Sequence, residues 1–341
     1  MSPILFSAIF LAFTVIVVCD RPFLEELAQW HNFLIKHPRI FSSQDEYSSR
    51  LRIFLENLEL AEKRSEVEEG TATFGWNKFA DLTADEFKER YLMDPWLLRL
   101  TVPSKISNDA DFQEPTSLPD HFDWRDHGAV TEEPASLPDH FDWRDHGAVT
   151  EVKDQSDCGS CWTFSTTGAI ESAFAVKHGK LYNLSEQQIL DCAKEQGGCR
   201  GGWPVKALRD VIAWGGDEEE SSYPYKANQG RCIKNRTKFV LGIDDVKEHP
   251  VDEEKIADYL MKHGAVSALI NARDSLMHYR NGIIKLSKDN CNPGLHDHAV
   301  LLVGFGVEVG IPYWIVKNSW GEDWGERGYF RMFREYVWNC V

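Results

Sequence analysis

Gln155-Ser156-Asp157-Cys158-Gly159-Ser160-Cys161-Trp162 is the stretch on which the reading of this chain turns. From Cys161 to about Lys180 the residues are helix-like, with Ile170, Phe174 and neighbouring apolar residues on one side and Gly179 as the stop. A thiol at a helix start is favoured as thiolate by unpaired amides and the helix dipole, and the thiolate is the nucleophilic form. A nearby imidazolium would stabilise that anion and later donate its proton to a leaving group. His298, in Asp297-His298-Ala299-Val300, lies 137 residues downstream of Cys161, and Asn318, in Lys317-Asn318-Ser319-Trp320-Gly321, lies 157 downstream.

Upstream, about Phe23 to Tyr91 is almost free of Gly and Pro and reads as helical. Ser43 with Glu46 and Thr83 with Glu86 have capping-box spacing. Between them Tyr47, Leu51, Phe54, Leu58 and Ala61 form one apolar stripe, which needs a partner such as the helix carrying Leu27, Trp30 and Leu34. From Met93 to Gln113 the pattern dissolves into a polar linker with Pro95 and Pro103, a domain boundary. Then Ser117–Glu132 and Ser136–Glu151 repeat the same letters, SLPDHFDWRDHGAVTE. Two identical copies are not a solenoid, and only one can fill one structural slot. Downstream, Ser185 with Gln188 and Asp252 mark two further helix starts. Ala265–Ile270, Ala299–Phe305, Pro312–Val316 and Gly328–Phe333 read as strands. Helices first and strands second give an α+β fold of two subdomains.

The 341 residues, 43% hydrophobic with 12 Trp and 19 Phe, can build real cores. A net charge of −17 argues against a nucleic-acid partner, which needs a basic face. Pro3 to Val18 is an uncharged apolar run of signal-peptide length, too short for a membrane span, although a buried helix is the alternative. It places the protein in the secretory route, lysosomal or extracellular, where thiols oxidise. Eight cysteines, less Cys19 at the cleavage site, leave an odd seven, so one thiol is free and reactive or pairs with another chain.

The combination resembles the papain family of cysteine peptidases. Cys158-Gly159-Ser160-Cys161-Trp162 matches its signature, whose His and Asn lie roughly 130–150 residues downstream, and Gln155 keeps its place six residues before the nucleophile. The resemblance implies a papain-like fold with a helical left subdomain and an antiparallel β-barrel-like right subdomain. It implies Cys161 as nucleophile, His298 as base and acid, Asn318 as the amide orienting the imidazole, and Gln155 with the Cys161 amide as oxyanion donors. Trp320 would shield the Asn–His bond, Gly201 and Gly202 would form the edge that pairs with substrate backbone, and Trp203 and Pro204 would line the pocket for the residue two before the scissile bond. Asp297 and Leu269 complete the expected substrate wall, Leu269 narrowing it. Implied disulfides are Cys158–Cys199, Cys192–Cys232 and then Cys291–Cys340, leaving Cys161 free. No cofactor and no metal are implied. The partners expected are protein and peptide substrates, the chain's own propeptide and cystatin-like inhibitors, with the enzyme a monomer.

Glu46, Arg50, Phe54 and Asn57, then Gly75, Asn77, Phe79 and Asp81, resemble the two motifs of that family's inhibitory propeptide, and Ala61 follows its cathepsin F variant. Ser65 departs from both known variants. The expected organisation is a signal peptide at 1–19, a propeptide at 20–116 with its helical core at about 23–91, a duplicated surplus segment at 117–135 and the peptidase at 136–341. The second copy of the repeat keeps the family spacing, with Trp143 eighteen residues before Cys161, and the C-terminus is short of the family's last strand. The propeptide is expected to run through the cleft and to loosen in acid as its carboxylates lose charge. Asn183 and Asn235 head two glycosylation sequons. Two rival readings are a thiol–disulfide oxidoreductase using Cys158 and Cys161, and a papain-fold relative that binds or inhibits without catalysis. A zinc site through His296, His298 and cysteines lacks the recurring Cys pair such sites use.

Overall fold

The computed structural model describes residues 21–94, 137–249, 252–272, 276–285 and 295–334. The signal segment, the first copy of the repeat, and Cys291 and Cys340 lie outside the described residues. The N-terminal region is two helices, α1 (Arg21–Lys36) and α2 (Gln44–Val67), then a short strand β1 (Thr73–Phe74) and a helix α3 (Ala84–Tyr91). The apolar stripe of α2 meets α1: Trp30, Phe33, Phe54 and Ala80 are buried, with Tyr47, Leu51, Leu58 and Leu34 packed around them. The Trp30 ring lies 5.2 Å from Phe54 and 5.8 Å from Tyr47, contacts worth about 0.5–1.5 kcal/mol per pair beyond their area.

Polar residues of the stripe's other flank tie this unit together. Arg50 grips Glu86 with two 2.7 Å bonds, Arg39 grips Asp81, and Asn57 donates to the carbonyls of Ala80 and Leu82 at 2.8 Å each. Thr83 and Glu86 form a complete capping box on α3. At α2 the box is only half made. Ser43 Oγ accepts from Glu46 N, but the Glu46 carboxylate turns to the amide and hydroxyl of Ser42, which offer it two donors at once.

The C-terminal region has two layers. One gathers α4 (Cys161–His178), α5 (Glu186–Cys192) and α6 (Pro204–Trp214) about Trp162, Ile170, Ile189, Leu190, Ala207 and Val211. The other follows α7 (Glu253–His263) with a six-stranded sheet ordered β2-β6-β7-β8-β5, in which β3 also pairs with β6. Its strands are β2 (Phe141–Asp142), β3 (Val266–Ile270), β5 (Ile283–Ile284), β6 (His298–Glu308), β7 (Ile311–Lys317) and β8 (Tyr329–Phe333). All pairs are antiparallel except the short edge strand β5, which runs parallel to β8. The second copy of the repeat fills the structural slot: Phe141 pairs with Phe305, and Trp143 Nε1 donates to Leu260 O.

The helix α4 departs from the one-sided stripe expected of it, being buried on most faces, because it runs between the two layers. A Cβ on Gly168 would stand 2.7 Å from Leu301 Cδ2, so the Leu301 side chain fills the space beside this glycine where α4 approaches β6. The polar residues of α4 are satisfied locally: Thr166 donates to Trp162 O, and Ser165 donates to Val300 O. One more strand, β4 (Tyr279–Asn281), pairs with β1, so the N-terminal region adds a strand to the C-terminal one. Phe79, Phe87 and Leu92 share a core with Trp320, Trp324 and Trp314, and that core is continuous across the seam.

Candidate active site

Cys161 is the first residue of α4. Its N-cap, Ser160, makes no side-chain cap to the helix, the hydroxyl instead meeting Tyr225 Oη, so helix amides remain to polarise the thiol. Ala299 N donates to Cys161 Sγ at 3.3 Å, which sets the thiol beside the first residues of β6, where His298 stands. His298 Nε2 lies 2.8 Å from Asn318 Oδ1, the residue following β7. The same oxygen accepts from Ser319 N at 2.8 Å, which marks it as the acceptor. His298 therefore carries its proton on Nε2 and presents a bare Nδ1, a buried atom with no partner of its own. The Trp320 indole stacks on the imidazole at 4.6 Å.

Gln155 completes the group. Its Oε1 accepts from Ser319 Oγ at 2.6 Å, and its backbone amide donates to Ser319 O. Its Nε2 donates to Cys158 O and, across the seam, to Tyr91 O, both at 2.9 Å. A peptide carbonyl of the N-terminal region thus occupies a side-chain donor next to the thiol. The segment runs on through the cleft, with Met93 N donating to Asp297 O and Asp94 N to Arg200 O. Met93 is 2% exposed, buried by the cleft.

This covering sets the electrostatics. Burial pushes the Cys161 thiol up to about 12, although the amides of Ala299, Trp162 and Cys161 itself pull the other way. Burial also pulls His298 down to about 4 against the raising effect of its bond to Asn318. In the covered state burial disfavours the charged form of each group. Uncovering restores solvation to both charged forms and leaves the helix amides in place to favour the thiolate.

The remaining expected residues fall around the same cleft. Trp203, Pro204 and Leu269 line one cavity of 470 Å³ with Leu208, Ile243 and Ala268. Leu269 shares this wall without closing it. Gly201 lies against Met93, and a Cβ there would come 2.8 Å from Met93 Cβ. The Asp297 carboxylate accepts from Ala272 N and Asn271 Nδ2, and its backbone carbonyl accepts from Met93 N in the cleft. Cys158–Cys199 and Cys192–Cys232 are bonded, and Cys161 is free. The Cys158–Cys199 bond removes the oxidoreductase pair from consideration. Asn183 and Asn235 are exposed.

Sequence reasoning missed the buried ion cluster behind Asn318. Lys153 Nζ bonds Glu186 at 2.6 Å and Glu171 at 3.2 Å, and Lys317 reaches Glu171 through the Thr150 hydroxyl. Lys153, Glu171, Glu186 and Lys317 are far apart along the chain, so no local pattern gave a sign of it. Helix α6 was also missed, although Pro204 at its start and Gly215 in the left-handed conformation at its end are start and stop signals.

Comparison with known proteins agrees with this geometry. Residues 137–341 match the model of the papain family cysteine proteases, and residues 30–87 match that of the cathepsin propeptide inhibitor domain. The chain is 41% identical over 308 residues to the viral cathepsin of Choristoneura fumiferana nuclear polyhedrosis virus, covering 89% of this chain and 86% of that protein. It is 38% identical over 307 residues to cathepsin F of Mus musculus, covering 89% of this chain and 60% of that protein. Among solved structures, the digestive procathepsin L2 proteinase of Tenebrio molitor larval midgut superposes with a TM-score of 0.77 at 33% identity, over 92% of this chain and 96% of that one. With a thiol at the head of α4, an imidazole held by an amide and an inhibitor-type segment across the cleft, the chain belongs to the papain family of cysteine proteases and is a zymogen of cathepsin type.

Proposed function

We propose that the chain is an endopeptidase whose nucleophile is Cys161, with His298 as base and acid, Asn318 as the orienting amide, and Gln155 with the Cys161 amide as oxyanion donors. The observation that carries this is the Tyr91 carbonyl on Gln155 Nε2, since it seats a peptide oxygen where the reaction develops negative charge. Once the propeptide leaves, the Cys161 thiolate attacks the substrate carbonyl carbon, and the C=O electron pair moves onto the oxygen held by Gln155. Collapse expels the leaving nitrogen, which takes its proton from the His298 imidazolium, and leaves a thioester. His298 then takes a proton from water, hydroxide adds to the thioester, and the acid departs as the thiolate is restored.

The 470 Å³ cavity walled by Trp203, Pro204 and Leu269 supports a bulky apolar side chain two residues before the scissile bond. Gly201 and Gly202 serve as the backbone edge, and Trp320 as the shield of the catalytic pair. Residues 1–19 act as the signal peptide, 20–116 as propeptide, 117–135 as surplus linker and 136–341 as the peptidase. Entry to the secretory pathway, with lysosomal or extracellular delivery, is supported by two disulfides and by exposed Asn183 and Asn235 as glycan acceptors. Cys291 and Cys340 form the third bridge. A monomer open to cystatin-like inhibitors completes the reading. Among the described residues no helix is long and apolar enough to cross a membrane.

Acid-incubated full-length protein is expected to hydrolyse a fluorogenic peptide with Leu or Phe two residues before the cleaved bond, and Cys161→Ala to abolish this. Equal hydrolysis by Cys161→Ala would overturn the assignment.

A further inference from the structure

The propeptide plants a lysine in a notch that belongs to the enzyme. Lys78 Nζ donates to Asp154 Oδ2 at 2.6 Å and to Trp320 O at 2.9 Å, with Asp323 Oδ1 at 3.7 Å. The notch is rigid: Asp154 forms a β-bridge with Trp320, Gly321 N donates to Lys153 O, and Ser156 N donates to Asp154 Oδ1. Its floor is Gly321, at φ +77. A Cβ there would lie 2.9 Å from Asp154 Oδ2, 3.1 Å from Asp323 Oδ1 and 3.5 Å from Lys78 Nζ, so a side chain would fill the space the ammonium takes. Among the described residues, the basic side chains facing Asp154 and Asp323 are the Lys78 ammonium and the His37 imidazole, and both belong to the propeptide. Without the propeptide, two carboxylates and a carbonyl converge on the space that the Lys78 ammonium takes.

Its position gives the recess a role. Asp154 adjoins Gln155, and Trp320 lies stacked on His298. On the proposed mechanism His298 protonates the departing amine, so the Trp320 side of the site is where residues after the scissile bond leave. The opposite side, at Gly201 and Trp203, receives the acyl portion. Resting on that reading, we propose that Asp154, Asp323 and the Trp320 carbonyl form a recognition site for a Lys or Arg side chain on the leaving-group side of a peptide substrate, a site that Lys78 fills in the zymogen. The acidic recess selects for cationic substrates and disfavours acidic ones.

The test uses the acid-activated protein and quenched peptides identical up to the scissile bond, with Lys, Gln or Glu placed in turn at each of the first three positions after it. At one position wild type is expected to show kcat/KM for Lys about three- to five-fold above Gln at low salt, with Glu below Gln, as one exposed ion pair allows. The preference is expected to shrink at about 0.5 M salt. Asp323→Asn is expected to lose it, and Asp323→Lys to turn it toward Glu. No Lys preference at any position, or one that survives in both variants, overturns the site. The Gln peptides report separately on the peptidase reading; if wild type cleaves none of them, that reading falls and the site with it.

Discussion

Each reactive side chain has a partner whose role is set by an atom type. Asn318 Oδ1 can only accept, which leaves His298 Nδ1 bare, and Ser319 Oγ donates to Gln155 Oε1, which aims the Gln155 amide outward. His37 shows the same economy in the propeptide. It is buried beside Phe33 and Trp76, with Nδ1 3.5 Å from Asp323 Oδ2. Burial holds its imidazole below the ordinary value; Asp323 opposes this, while Lys36, Arg39 and Lys78 add to it. A docked group with a depressed histidine value binds fewer protons than the released one. Its stabilising effect is therefore full above the ordinary value of about 6.5 and is lost as pH falls below it. Glu86 behaves differently. Its bonds to Arg50 hold it down to about 2, so that pair is present above about 4.5 and weakens only as pH falls toward 2. Of these two groups, His37 is the one whose docked state is weakened by acid just below its ordinary value. His37→Gln is expected to need lower pH for half-maximal activation, read as peptidase activity released across a pH series; an unchanged midpoint would contradict it. Cys161, His298, Asn318 and Gln155 were legible because their chemistry admits few substitutes. The Lys78–Asp154 contact was not, since nothing distinguishes either residue from other surface charges until the chain folds.

At the scale of elements, regular helices with explicit caps were readable and two-residue strands were not. The stripe of α2 and the capping box of α3 follow from local spacing. By contrast β1 and β4 exist because each finds the other across the seam, with Thr73 facing Asn281, and no local pattern encodes that. The one-sided stripe expected of α4 overlooked its buried polar residues, which find partners inside the fold, Thr166 at Trp162 O and Glu171 at Leu184 N. Asn57 is the element-scale hinge of the propeptide, because one side chain satisfies two carbonyls of the turn leading into α3. Asn57→Ala orphans both, at about 1–3 kcal/mol each. The expected outcome is a lower melting temperature for the proform and measurable activity at neutral pH without acid treatment. Unchanged melting and no leak would show that the turn is held by other contacts.

Across the whole molecule, the propeptide inhibits in two ways that share one cause. Phe79 and Phe87 pack edge-on against Trp320, and Tyr91 to Asp94 occupy the cleft, which blocks substrate. The same burial raises the Cys161 thiol and lowers His298, which works against the charged forms of both. The α+β architecture and a propeptide crossing the cleft were legible from the order of elements and the motifs; the continuity of one aromatic core through both parts was not, because it is a property of assembled surfaces. The decisive measurement is covalent labelling of the full-length protein with an epoxysuccinyl thiol probe at neutral and acidic pH, followed by mapping of the tagged peptide. Labelling at Cys161 that is slow in the neutral proform and fast after acid release is the expected result; rapid neutral labelling of the intact proform, or a tag on another cysteine, would contradict it.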